Sequence, residues 1–101
     1  MNTNIKVDFE NRGLNTQMKS MGFLIVKPYQ LFTYDLSRYT ALVVEGTRVN
    51  GFAEYRYTFY KTRYLPDGRM TSLKVYMENE SIRRVLPRVA SFLSFLEKPS
   101  G

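Results

Sequence analysis

The five residues Leu65-Pro66-Asp67-Gly68-Arg69 constrain the fold of this chain more than any other stretch. Proline presets φ at the first turn position, aspartate hydrogen-bonds its own backbone, and glycine accepts the left-handed conformation that follows a type I turn. A short loop of this kind joins two antiparallel strands through a bulge at the glycine. The flanking runs agree with it. Residues 51–77 read GFAEYRYTFYKTRYLPDGRMTSLKVYM, with β-branched and aromatic side chains on both arms. A long β-hairpin over 51–77 is therefore expected.

The turn also sets an expected register. If Leu65 faces Arg69, then Arg63 faces Thr71, Tyr60 faces Lys74, Phe59 faces Val75 and Tyr57 faces Met77. Side chains alternate between faces along a strand. One face is then Tyr55, Tyr57, Phe59, Leu73, Val75 and Met77, apolar and suited to a core. The other is Arg56, Thr58, Tyr60, Thr62, Tyr64, Met70, Ser72, Lys74 and Tyr76, polar, basic and aromatic. A slip of one residue would bury Arg56 and Lys74, so the register should be well determined. Toward the tip the apolar face turns basic at Lys61 and Arg63, which suggests that the hairpin projects beyond the body of the domain.

Elsewhere the patterns are shorter. Residues 4–9 alternate, with Ile5, Val7 and Phe9 against Lys6 and Asp8, as in a half-buried strand. Residues 10–20 are polar, contain Gly13 and read as a loop. Residues 21–27 read as a strand covered on both sides, ended by Pro28 or placed by it at a sheet edge. Residues 28–38 fit neither the strand nor the helix period. Residues 39–45 form another strand around Leu42-Val43-Val44, and residues 46–51 a turn region with Arg48. Ile82, Val85, Leu86, Val89, Leu93 and Leu96 recur at three- and four-residue spacing, the apolar stripe of a C-terminal helix. Asn79 or Ser81 can cap it. Pro87 predicts either a kink or a short first turn followed by a helix from about Leu86. Phe92 and Phe95 lie off the stripe and are candidate dimer contacts, while Arg83, Arg84 and Arg88 are placed on the opposite flank.

The expected fold is α+β: an antiparallel sheet of about four to five strands, with the 51–77 hairpin and one amphipathic C-terminal helix covering one face. The 101 residues make one domain, 1–101, with frayed ends at about 1–3 and 98–101.

Composition narrows function by exclusion. The chain has no cysteine and no histidine, which removes cysteine–zinc sites, iron–sulfur clusters, thiol nucleophiles and the commonest general base. No catalytic constellation or glycine-rich phosphate loop is present, so no enzyme and no cofactor are expected. Asp8 and Glu10 share a strand face, but two carboxylates beside Lys6 and Arg12 are too few for a metal site. The longest apolar run, Phe23-Leu24-Ile25-Val26, is too brief for a membrane span, and no signal peptide is visible, so a cytoplasmic protein is expected.

The net charge of +6 favours anionic partners. Rings interleaved with cations on a β-ribbon suit single-stranded nucleic acid, with π-faces for bases and positive charge for phosphates. The expected function is sequence-tolerant binding of single-stranded DNA or RNA, by a homodimer. Tyr60, Tyr64 and Tyr76 would stack on bases, and Arg56, Lys61, Arg63, Arg69 and Lys74 would meet phosphates. The alternative is a small protein-interaction module or inhibitor, because tyrosine and arginine also anchor protein interfaces and the same face fits an acidic protein surface. The plainest reading is an ordinary solvated β-surface whose cations discourage edge aggregation.

Overall fold

The computed structural model describes residues 13–97. They form a helix, α1 (residues 13–20), a meander of five strands, and a second helix. The strands are β1 (Leu24–Lys27), β2 (Leu31–Ser37), β3 (Thr40–Thr47), β4 (Arg56–Tyr64) and β5 (Met70–Glu80), and the helix α2 (Ile82–Glu97) follows. All neighbours are antiparallel and the spatial order is the chain order, β1-β2-β3-β4-β5. The α+β architecture read from the patterns is the one observed. The strand expected at residues 4–9, and with it Asp8 and Glu10, lies outside the described residues.

Both helices lie on the same face of the sheet. Leu14 and Met18 of α1 and Val85, Val89 and Leu93 of α2 join one buried cluster with Phe23, Phe32, Leu42, Val44, Tyr57 and Phe59. Within the segment 10–20 expected as a loop, residues 13–20 are helical. Leu14, Met18 and Met21 stand four and three residues apart and present one short apolar edge to the core, which is enough to hold a helix from 13 to 20. Asn15 on that helix accepts a hydrogen bond through Oδ1 from the amide of Tyr29 at 3.0 Å.

The β1–β2 turn explains why residues 28–38 resist periodic reading. The amide of Gln30 donates to the carbonyl of Lys27 at 3.0 Å, and Tyr29 has φ 64°. Proline followed by a residue of positive φ is a type II arrangement, which glycine ordinarily occupies. The tyrosine is held there from both sides, by Asn15 on its amide and by the Tyr57 hydroxyl, which donates to its carbonyl at 2.6 Å. Beyond that turn β2 pairs regularly with β3 until a register shift between Asp35 and Ser37.

The expected turn at 65–69 is present. Gly68 has φ 92° and its amide donates to Leu65 at 2.8 Å, while the amide of Leu65 donates to the carbonyl of Arg69 at 2.7 Å. The register beyond it differs from the expectation. Tyr64 pairs with Met70, as the turn dictates, but Arg63 pairs with Ser72, Tyr60 with Val75, Phe59 with Met77 and Tyr57 with Glu80. One extra residue enters β5 at Thr71, one at Tyr76 and one beside Asn79. Each step is a bulge that advances the register by one.

The steps have local hydrogen bonds of their own. The Thr71 hydroxyl donates to the carbonyl of Arg63, and Asn79, at φ 53°, donates its amide to the Thr58 hydroxyl. Their consequence is a change of faces. Leu73 and Val75, expected in the core, are 55% and 44% exposed on the face away from the helices. Lys74 and Tyr76, expected on the ligand face with Tyr60, stand on the helix side. Met77 packs against the core as expected.

Helix α2 is continuous from Ile82 to Glu97 with Pro87 inside it, so the first turn and the main stripe form one element. Pro87 is exposed, where a missing amide hydrogen is least costly. Ser81 is the capping residue: its carbonyl accepts from the amides of Arg84 and Val85. No helix among the described residues is long and apolar enough to cross a membrane.

Candidate functional site

The structure separates the cations and rings expected to form one surface. On β4, alternation puts Tyr60 and Tyr64 on the face away from the helices and Lys61 and Arg63 on the helix side, and the β5 bulges bring Lys74 and Tyr76 to join the latter pair. The side of the ribbon that faces the helices is therefore the basic one, beyond the reach of the apolar core.

Its centre is a cross-strand pair of like charges. Lys61 lies directly opposite Lys74. Together with Arg63, Thr40 and Ser72 they line a shallow depression of about 310 Å³ whose lining contains no carboxylate. Among the described residues Lys61, Arg63 and Lys74 form no ion pair. The Lys74 ammonium also lies 5.7 Å from the centroid of the Tyr76 ring. Directly opposed like charges destabilise a ladder, so this arrangement costs the free fold something that a bound anion would remove.

Two of the expected phosphate contacts have structural work instead. The Arg56 Nε donates to the carbonyl of Asn79 at 3.1 Å, and its guanidinium stacks 4.2 Å from the centre of the Phe52 ring. Arg69, at the hairpin tip, is held by Asp67 at 2.8 Å. Each therefore already has a partner, and Arg56 stands on the Tyr60 face at the opposite end of β4.

The tyrosines also differ from expectation. Tyr76 is half-buried, its ring 5.1 Å from Phe59 and 5.1 Å from Phe92, so its faces are largely occupied. Tyr60 donates its hydroxyl to Glu45 Oε1 at 3.0 Å on the far face. Burial, then that hydrogen bond and the carboxylate's charge, with Tyr64 last, raise its phenol to about 12. Tyr64 is half-buried on the same face as Tyr60. The platform of three rings expected from the sequence is thus divided between two faces of the sheet.

Helix α2 supplies the residues that the sequence reading misplaced. Phe92 packs inward, edge-on to Phe59 at 5.9 Å and against Tyr76, and is not a free surface. Phe95 is 74% exposed. Arg88, expected on the opposite flank, reaches the same Tyr76 ring at 5.9 Å and so shares the flank of Phe92. Four-residue spacing from Arg84 to Arg88 to Phe92 is the signal that places them together. Arg84 pairs with Glu80 at 3.4 Å.

A second concavity lies at the other end of the helix layer. It has a volume of about 890 Å³, with Tyr57, Leu14 and Leu86 in its wall and Arg48 at its rim, 5.3 Å over the Tyr55 ring. Burial, with the Tyr55 and Glu54 charges after it, raises the Tyr57 phenol to about 12, and the hydroxyl is engaged with Tyr29. Among the described residues no group of three or more histidine, cysteine or acidic side chains converges to hold a metal.

No protein-family model matches the chain, and no solved structure matches it. It is similar to the protein described as "Uncharacterized protein YddA" of Bacillus subtilis (strain 168), with 71% identity over 85 residues, covering 84% of this chain and 83% of that protein. At that identity and coverage, the chain belongs to the same family as YddA.

Proposed function

We propose that the chain binds nucleic acid along the β4–β5 ribbon, holding the sugar–phosphate backbone without reading base identity. One observation carries this reading: Lys61 and Lys74 oppose each other beside Arg63, in a depression with no carboxylate in its lining. Phosphates fit this chemistry, since they carry the opposite charge and accept from both ammonium and guanidinium donors. The chain's net charge of +6 adds long-range attraction. The function is binding and not catalysis, in keeping with a sequence that has neither histidine nor cysteine. Such a ligand goes with a cytoplasmic location.

The test is oligonucleotide binding at several salt concentrations. Three or four phosphate contacts give a fall of log K with log salt of slope roughly −2 to −3. The double substitution Lys61→Gln/Lys74→Gln is expected to abolish most of the affinity and flatten that slope. An affinity that is absent, or that does not respond to salt, overturns the reading.

A second reading, a protein partner, is favoured by the apolar margins of the far sheet face. Leu24 and Val26 on β1 and Leu73 and Val75 on β5 are all exposed there, while Ala41, Val43 and Thr62 between them are buried. A complex captured from lysate that survives nuclease treatment and is lost with Leu73→Ser/Val75→Ser would support it. One lost on nuclease treatment would count against it.

A further inference from the structure

Phe95 is the most exposed large hydrophobic side chain among the described residues, at 74%. Helix α2 leaves β5 at Ser81 and runs back along it, because Arg88 and Phe92 both meet Tyr76. Three residues beyond Phe92 the helix has advanced about 4.5 Å toward the hairpin tip. From Tyr76 to Lys74 the strand advances about 6.6 Å the same way. By these rises Phe95 comes about level with Lys74 along the ribbon, on the flank of Arg88. Its ring is 74% exposed, whereas Phe92 and Tyr76 on the same side are stacked against Phe59.

We infer that Phe95 is a stacking platform for an unpaired base whose neighbouring phosphates lie on Lys61, Lys74 and Arg88, so that the ligand is single-stranded. The inference rests on the phosphate-binding reading of the ribbon. A duplex keeps its bases stacked inside and offers nothing to a lone exposed ring, whereas a single strand offers a π-face at every residue. The cations beside Phe95 argue against a second copy of the chain as its occupant, since two copies meeting there would bring Lys74 and Arg88 toward their own images.

The chain has no tryptophan, so Phe95→Trp introduces a single reporter. The probes are an oligothymidylate and inorganic polyphosphate, which shares the phosphates and lacks bases. The expected result is that oligothymidylate quenches the Phe95→Trp emission and polyphosphate binds without quenching. Phe95→Ala is expected to weaken oligothymidylate binding roughly fivefold or more, by loss of one stacked base, and to leave polyphosphate affinity unchanged. Polyphosphate binding without quenching by oligothymidylate, or an oligothymidylate affinity unchanged in Phe95→Ala, overturns the inference and leaves the ribbon reading standing. Equal losses on both probes, with a shift from dimer to monomer in sedimentation, assign Phe95 to self-association and overturn it too. If wild type binds neither probe, the ribbon reading falls with it.

Discussion

Lys61 and Lys74 face each other across β4 and β5, while Asp67 at the hairpin tip is paired with Arg69 and Glu45 accepts from Tyr60 on the other face. Removing one of the two charges should therefore help the free protein while harming its complex. Lys74→Gln is expected to raise stability by about 0.2–1 kcal/mol, the scale of a cross-strand pair. The same change should lower oligonucleotide affinity. Thermal melts with and without oligonucleotide measure both; a destabilised Lys74→Gln protein would mean that the pair carries no repulsion.

The Tyr57 hydroxyl ties β4 to the β1–β2 turn through the carbonyl of Tyr29, at 2.6 Å. Tyr57→Phe keeps the ring and leaves that part-buried carbonyl without its donor. A loss of about 1–2 kcal/mol is expected in denaturant unfolding. Because Asn15 holds the other side of Tyr29, Asn15→Ala should be partly non-additive with it in a double-mutant cycle.

Gly46 is opposite Tyr57 on β3, and a Cβ there would lie 2.7 Å from the Tyr57 ring. The ring is buried and anchored at its hydroxyl, so it has little room to move. Gly46→Ala is expected to cost about 1–3 kcal/mol, as overpacking does. A Gly46→Ala protein as stable as wild type would show that Tyr57 can shift without loss.

Tyr57 and Tyr60 both titrate near 12 in the folded protein, against 10 for an ordinary tyrosine. The folded state then holds these protons more tightly than the unfolded state. Their contribution to stability is complete below about pH 10 and lost as pH rises toward about 12. Denaturation across that range should show a shallower decline in Tyr60→Phe than in wild type. Equal slopes would remove Tyr60 from the effect.

The parts of the fold that local chemistry determines were legible in the sequence. Pro66 and Gly68 have one turn type between them, and the stripe from Ile82 to Leu96 fits one period. The β5 bulges were not legible. Thr71 and Tyr76 are ordinary strand residues, and only Asn79, a residue that tolerates positive φ, gives any local sign of a step. The single step at Thr71 was enough to turn Lys74 and Tyr76 to the other side of the sheet, so residues expected to share one face stand on two. The helical part of the candidate site was hidden for a different reason: Phe92 and Arg88 meet Tyr76, a contact between helix and sheet that no helical wheel contains.

The bulges have a consequence for the sheet's outer border. β5 is the last strand, eleven residues long, and an unbroken strand of that length would offer a continuous row of amides and carbonyls to any other chain. Extra residues at Thr71, Tyr76 and beside Asn79 interrupt that row and twist it, so an incoming straight strand can match only short pieces of it. The irregularity that disposes the basic residues also guards the protein's outer border against templated strand addition.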